Sequence, residues 1–436
     1  MSKNKIKVLF LLLGDLVIFY FSLFLAIFLR YGLNYSQEIT FNHFLNFSFV
    51  FLIWILIFSV SHLYELRYAA NKRKFFELIF KLFLIAAGFS IVYFYIFTPN
   101  FTPKKILFLT LIFSFIFLTI WRVLFNQLAA ISKEKLLIIS DKQEAKEILD
   151  FLKKYPQLGY EPKIVSSTFE TKIIIQVIQN EKINTLVIDS EISDDKLNNF
   201  LVSLPEINIT TLVSFYENTI QRIPLNLLNH SWFLVNYYNK NWEIYESLKR
   251  IFDLIGGLVL LSISLPVWPI IALAVKLSSS GPVFHKSVRL GRKEKKFFIY
   301  KFRTMVKDAG KNGPAWTLKD DPRITKAGKF LRATHLDELP QVLNIIKGDI
   351  SFVGPRPEEE KLVALFKKEI PFYNFRFLIK PGVIGWAQIN YPHGASVEDA
   401  KEKLKYDFYY LKNRNIYFDF LIALKSFRIP FEIPTH

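Results

Sequence analysis

Between Gly281 and Asn390 the sequence gathers glycines, prolines, arginines and paired carboxylates. Its centre is His335-Leu336-Asp337-Glu338-Leu339-Pro340-Gln341, two adjacent carboxylates with Arg332 shortly before them. Apolar residues follow at Val342, Leu343, Ile345 and Ile346, and Gly348 interrupts the run. That pattern predicts a helix whose first turn holds Pro340 and whose end is Gly348. Asp337 and Glu338 then lie at a helix N-terminus, where the macrodipole favours negative charge and free N–H groups can bind a phosphate. Neighbouring residues do not share a helix face, so one carboxylate can face a reacting phosphorus while the other holds a metal. Cations stand close by in sequence. Lys301 and Arg303 belong to Lys301-Phe302-Arg303-Thr304-Met305, after a strand-like Phe297 to Tyr300. Gly354-Pro355-Arg356-Pro357 is a rigid turn presenting one guanidinium, and Pro381-Gly382-Val383-Ile384-Gly385 is a second tight turn. Arginine suits phosphate because its fork donates two parallel hydrogen bonds.

Each piece has a plainer reading. An Asp-Glu pair at a helix start is more often a cap, an arginine between prolines is usually a surface turn, and 301–305 could be an exposed strand end. His335 reads as positional, and none of the seven histidines falls at a metal-ligand spacing. What weighs against the plain readings is the concentration of these groups just after a long apolar run. Chemistry on a lipid phosphate would need that arrangement.

The elements that must position these residues begin at a membrane. The chain has 436 residues, 51% hydrophobic and 17% aromatic, with 45 phenylalanines, too apolar for a disordered protein. It has no cysteine, which excludes disulfides, thiolate metal sites and cysteine nucleophiles. Lys plus Arg number 56 against 38 Asp plus Glu, a net +18. Beside apolar runs, that excess points to anionic lipid and phosphate-bearing substrates; nucleic acid is not expected as a partner. Four runs of spanning length open the chain: Val8 to Phe28, Phe44 to Leu63, Leu78 to Phe97 and Ile106 to Phe125. The first is too long for a cleavable signal. Lys3, Lys5 and Lys7, then Arg67, Lys72, Arg73 and Lys74, then Arg122, Lys133 and Lys135 put both ends of the bundle in the cytoplasm. Asp15 inside the first run reads as a structural contact, with Arg30 as its expected partner, and more remotely as a functional group.

A fifth run, Leu254 to Leu277, contains Pro266 and Pro269, and both its flanks are basic. A helix that enters one leaflet, breaks at Pro266 and returns accounts for both features; the alternative is a proline-kinked span. Between Lys133 and Leu228 short β-branched runs alternate with helical patterns. Strands are expected at 136–140, near 164, at 185–189 and at 208–213, with helices at 143–153, 172–179 and 194–204. That is a small parallel, Rossmann-like α/β module. Its first strand runs into Ser140-Asp141-Lys142-Gln143, which lacks the glycines of a pyrophosphate loop, so a structural or regulatory role is expected rather than a dinucleotide site. Ile416 to Phe427 reads equally as an amphipathic helix on the leaflet or as one packed on the core.

From about Lys249 onward the sequence resembles the bacterial sugar transferase family, the polyprenyl-phosphate hexose-1-phosphate or monotopic phosphoglycosyl transferases. The likeness runs through the proline-broken helix, Gly281-Pro282-Val283-Phe284, Lys301 to Met305, Asp321-Pro322-Arg323-Ile324-Thr325, Leu336 to Gln341, Gly348 to Pro357, Pro381 to Asn390 and Tyr406-Asp407-Phe408-Tyr409-Tyr410. The spans and the α/β module resemble the long-form members that initiate exopolysaccharide, O-antigen or capsule synthesis. The expected organisation is three domains and a linker: a four-helix transmembrane bundle at 1–130, the Rossmann-like module at 133–228, a linker at 229–242 and, where the resemblance lies, an α+β transferase domain at 243–436 with the re-entrant helix 254–277. It implies transfer of a sugar 1-phosphate from a UDP-sugar to polyprenyl (undecaprenyl) phosphate, through a covalent phosphosugar on Asp337, with release of UMP. It further implies Glu338 on Mg²⁺, phosphate binding by Arg332 and Arg356 with Lys301 and Arg303, and Pro266 at the re-entrant break. Expected partners are the UDP-sugar, polyprenyl phosphate and membrane lipids, at the bacterial inner membrane with the catalytic domain in the cytoplasm; a homo-oligomer and the identity of the sugar stay open. Leu265 precedes Pro266 where relatives often carry Ser, with Ser264 one position earlier. The alternatives are a non-catalytic membrane scaffold for polysaccharide assembly, or a phosphotransferase with an all-transmembrane site, for which only Asp15 qualifies.

Overall fold

The computed structural model describes residues 3–32, 37–61, 63–69, 73–98, 103–131, 133–166, 171–189, 207–238, 240–307, 309, 321–392, 394 and 396–426. The chain forms two compact units, Met1–Phe215 and Tyr216–His436.

The first unit opens with four long helices, α1 (Lys3–Tyr31), α2 (Gln37–Val60), α3 (Arg73–Ile96) and α4 (Lys104–Ile131). Their residues are apolar nearly all round, which suits a lipid surface better than a water-facing stripe. Large side chains such as Val17, Phe49, Phe89 and Phe108 stay exposed, while Phe19, Phe51, Trp54 and Phe58 close the interior. Lipid is itself apolar, so packing and hydrogen bonding must hold such helices together. Edge-to-face rings do part of this, as at Phe19 and Trp54, and Trp54 Nε1 donates to Ser90 Oγ at 2.9 Å. Asp15 makes a structural contact, but its partner is Arg122 of α4, not Arg30. Arg122 also donates to the Leu63 carbonyl at 2.7 Å. The partner could not be read from spacing because α1 and α4 meet only in the folded bundle.

Next comes a four-stranded parallel sheet in the order β2-β1-β3-β4. Its strands are β1 (Glu134–Ile139), β2 (Tyr160–Val165), β3 (Thr185–Ile188) and β4 (Asn208–Thr211), with α5 (Gln143–Lys154) and α6 (Thr171–Glu181) between them. Leu136 to Ile139 are fully buried, as a central parallel strand requires. At the end of β1, where a glycine-rich turn would sit, the Lys142 ammonium pairs with Asp189 at 3.0 Å. The helix expected at 194–204 lies outside the described residues. Helix α7 (Leu212–Ile220) follows.

The second unit includes α8 (His230–Phe233), and within the stretch 229–242 expected as a linker Phe233 is part of the unit's core, with Trp232 and Tyr237 packed against it. The fifth apolar run forms α9 (Glu243–Ser264), a 3₁₀ turn at Leu265–Val267 and α10 (Trp268–Ser278). Among the described residues this 36-residue element is one of five helical segments long and apolar enough to cross a membrane. Both of its arms bond to this unit. On α9, Arg250 donates to the carbonyls of Ile345 and Ile346 at 2.7 and 2.6 Å, and Asp253 accepts from Phe352 N at 3.0 Å. The end of α10 meets Arg303, described below.

A hairpin of β5 (Phe284–Leu290) and β6 (Lys296–Phe302) follows, then α11 (Lys326–Ala333). A 3₁₀ segment, Leu336–Gln341, leads into α12 (Val342–Lys347), which ends at Gly348 with φ +91°. The helix end thus falls where the sequence put it. Strand β7 (Ser351–Val353), α13 (Glu360–Glu369) and a 3₁₀ segment at Tyr373–Leu378 precede β8 (Gly382–Ile384), which pairs in parallel with β7. The chain closes with α14 (Trp386–Asn390), α15 (Val397–Asn413) and α16 (Ile416–Ser426). Helix α16 buries Ile422 in the core and sets Asp419 against Lys249, Tyr245 and Tyr410. It therefore packs on the core, although Tyr417 and Phe420 remain exposed.

Candidate active site and family

Four elements converge on Asp337 and Glu338. Strand β6 brings Lys301, the 3₁₀ segment brings the two carboxylates, the turn after β7 brings Arg356, and α11 brings Arg332. Glu338 Oε1 accepts from Lys301 Nζ at 2.7 Å and from Arg356 NH2 at 3.0 Å. Burial disfavours its charge, but Arg356 and Lys301 outweigh burial and hold its pKa down at about 2. Glu338 is a fixed anion.

Asp337 is different. Only 8% of the residue is exposed, yet its carboxylate takes no hydrogen bond from the described residues. Burial raises its pKa, the Glu338 charge raises it further, and Lys301, Arg332 and His335 oppose them. Burial likewise pushes the Arg332 guanidinium down while Asp337 draws it up. Adjacent carboxylates thus take different surroundings, one clamped by cations and one with its oxygens unclaimed.

The helix-terminus argument made from the sequence does not carry this site. Asp337 and Glu338 sit in a 3₁₀ turn, and the α-helix after them has six residues, so aligned peptide dipoles supply little. Side-chain cations do the work instead. Arg303 also departs from expectation. Its guanidinium donates to the carbonyls of Ser279 and Ser280 at 2.6 and 2.9 Å, and the residue is 7% exposed. It ties β6 to the end of α10, whose last carbonyls lack helical partners. Pro266 lies in the 3₁₀ turn between α9 and α10.

Three supports were missed. Arg332 Nε donates to Thr304 Oγ1 at 2.8 Å, and Thr304 O accepts from Thr325 N at 3.0 Å, which docks the start of α11. A Cβ on Gly328 would stand 2.0 Å from that same Thr304 oxygen, so only glycine lets α11 approach. Asn344, fully buried, donates to Phe298 O at 2.7 Å and accepts from Tyr300 N at 3.2 Å, holding β6 and therefore Lys301 against α12. A polar residue inside the apolar run Val342 to Ile346 was the available signal. The third support, behind Arg356, is treated below.

A clamped carboxylate beside an unclaimed one, ringed by lysine and arginine, defines a class of site suited to phosphoryl groups. The family model described as bacterial sugar transferase matches residues 244–432. An exopolysaccharide production protein of Rhizobium leguminosarum bv. phaseoli is 40% identical over 181 residues, 40% of this chain and 90% of that protein. The chain belongs to the bacterial sugar transferase family. It is also 39% identical over 185 residues to a UDP-N-acetylgalactosamine-undecaprenyl-phosphate N-acetylgalactosaminephosphotransferase of Aeromonas hydrophila, covering 42% of this chain and 44% of that protein. A UDP-glucose:undecaprenyl-phosphate glucose-1-phosphate transferase of Escherichia coli is 39% identical over 186 residues, 41% of this chain and 40% of that protein. The match thus spans less than half the length of these last two.

Proposed function

We propose that this protein is a membrane enzyme that moves a sugar 1-phosphate from a UDP-sugar to polyprenyl phosphate. The observation that carries the proposal is the Asp337 carboxylate, free of hydrogen bonds among the described residues, beside a Glu338 clamped by Lys301 and Arg356. The names of the relatives support the substrate class.

In the first step an Asp337 oxygen attacks the sugar-bearing phosphorus. The bond from that phosphorus to the bridging oxygen breaks, and UMP leaves with the electron pair. In the second step an oxygen of polyprenyl phosphate attacks the same phosphorus, the aspartyl oxygen departs, and a lipid diphosphosugar forms. A carboxylate nucleophile divides one displacement into two easier ones. Arg332 and Arg356 bind phosphate oxygens, with Lys301 beside them; each supplies charge where phosphoryl oxygens carry it. The sugar contacts are not assigned.

Mg²⁺ fits this donor set. Among the described residues no three His, Asp or Glu side chains gather as a cage, but Mg²⁺ usually takes one or two carboxylates and completes its shell with water and substrate phosphates. The second oxygen of Glu338 receives no hydrogen bond from the described residues and would hold the ion. When bound, the ion would neutralise charge on phosphoryl oxygens.

The chain would span the inner membrane four times, with both ends of the bundle and the catalytic unit in the cytoplasm. The Rossmann-like module would serve a structural or regulatory role, the Lys142–Asp189 pair standing where a pyrophosphate loop would open. The α9–α10 element would enter one leaflet and return. A straight 36-residue helix would be about 54 Å long, whereas Arg250 and Asp253 on one arm and the end of α10 on the other are bonded to the same unit.

The test incubates membranes containing the protein with a panel of UDP-sugars and polyprenyl phosphate and measures UMP. A UDP-sugar supplied without acceptor should leave a phosphosugar mass on the peptide containing Asp337. Activity without any such adduct would remove the covalent step, and no UMP from any sugar would favour the scaffold reading.

A further inference from the structure

Three consecutive carbonyls hold the turn that carries Arg356. Pro355 O accepts from Gly382 N at 2.9 Å, Arg356 O from Arg376 NH2 at 3.1 Å, and Pro357 O from Arg289 NH1 at 3.4 Å. The prolines at 355 and 357 have fixed φ and no N–H of their own, so the turn depends on its carbonyls for anchorage. The middle contact leads into a buried ion pair. Arg376 is 7% and Asp407 4% exposed, and the same NH2 that meets Arg356 O also donates to Asp407 Oδ2 at 2.9 Å. NH1 of Arg376 donates to the Tyr373 hydroxyl. A buried pair of this kind is held firmly, because loss of either partner strands the other charge. Neither Arg376 nor Asp407 hydrogen-bonds Asp337 or Glu338. Their route to the site is the backbone of residue 356, whose guanidinium meets Glu338.

We propose that Asp407 and Arg376 are positioning residues that set the direction of the Arg356 guanidinium. The inference rests on the reading of this site as a phosphosugar-transfer centre, with Arg356 on a substrate phosphate. A long arginine side chain searches many rotamers, and anchoring its own carbonyl fixes the point from which that search begins. Asp407 holds Arg376 in place, and Arg376 holds residue 356. A displacement of about 1 Å at such a group can cost on the order of a hundredfold in rate.

The test uses the full-length protein in detergent or nanodiscs. Arg376→Gln and Asp407→Asn should raise KM for the UDP-sugar and lower kcat/KM by roughly ten- to a hundredfold, with Arg376→Lys and Asp407→Glu recovering part of the loss. If Arg376 acts through Arg356, Arg376→Gln in an Arg356→Ala background should add less than about a further twofold. A purely structural role would lower kcat through loss of active enzyme, leave KM alone, and multiply fully with Arg356→Ala; that result overturns the inference. Amide exchange is read in parallel on the peptide spanning 351–360. It should speed up in Arg376→Gln and, more weakly, in the milder Arg376→Lys; unchanged exchange also overturns the inference. Because exchange needs no turnover, it judges the positioning role even if the wild-type protein transfers no sugar phosphate and the functional reading falls.

Discussion

Two carboxylate–arginine contacts in this chain differ in one respect. In the helical bundle, Asp15 and Arg122 have side chains 0% and 1% exposed, and Arg122 is further tied to the Leu63 carbonyl. In the second unit, Glu338 and Arg356 have side chains 17% and 38% exposed and sit beside a carboxylate that takes no hydrogen bond from the described residues. The charged groups are the same, a carboxylate and a guanidinium. The sealed pair offers no approach to a ligand, so it can only hold helices together. The open pair has an accessible guanidinium and an unclaimed neighbour, and it can trade a protein partner for a phosphate. Chemical potential lies in the bonds that the fold leaves unmade, not in the presence of charge.

That contrast breaks most sharply at Asp337. Asp337→Asn should lower transfer and UMP release by about 10⁴-fold or more while the protein still inserts and folds, as expected for loss of a group that acts as one with its partners. Near-normal turnover in that variant would return the pair to a capping role. The opposite outcome is expected in the bundle. Arg122→Ala strands a buried carboxylate and should cost about 3–5 kcal/mol, read as a lower thermal midpoint in detergent, with the KM of the surviving enzyme unchanged. The double variant Asp15→Asn with Arg122→Met should recover much of that loss, because no uncompensated charge remains.

Smaller effects refine the open site. Arg356→Ala removes a charge-assisted bond worth about 1.5–3 kcal/mol, on the order of ten- to a hundredfold in kcat/KM. Unchanged kinetics would leave it as a surface turn. The smallest effect concerns pH. A nucleophilic Asp337 must be ionised, and burial followed by the Glu338 charge holds its pKa up, so activity should fall on acidification from a higher pH than an ordinary carboxylate would give. Glu338→Gln removes the neighbouring anion and frees the Lys301 and Arg356 charges. Both changes favour the ionised form, so the acid limb of the residual activity should move to lower pH. A limb that stays in place would assign it to another group.

Much of the site was legible in the sequence because its members cluster in motifs. Asp337, Glu338, Lys301, Arg332 and Arg356 are brought together, and Gly348 stops its helix where expected. Arg303 lies in the same motif as Lys301, yet its guanidinium meets the carbonyls of Ser279 and Ser280. Alternation along a strand would set residues 301 and 303 on one face, but β6 ends at Phe302, and the end of α10 offered carbonyls that only the folded chain brings near. Asp407 stood inside a recognisable motif, yet its partner Arg376 is 31 residues away and carried no signal of its own.

The sequence by itself determined where the long helices and strands form and which residue types could do chemistry, because apolar run length, β-branching, proline and glycine act within a few residues. Tertiary structure alone decided which charges are paired. Asp15 found Arg122 across 107 positions, Arg303 turned to helix carbonyls, Arg376 reached the backbone of Arg356, and Asp337 was left without a hydrogen bond among the described residues. Such pairings are settled by side chains meeting across the closed fold, where burial makes a missing partner costly, and no local pattern encodes them.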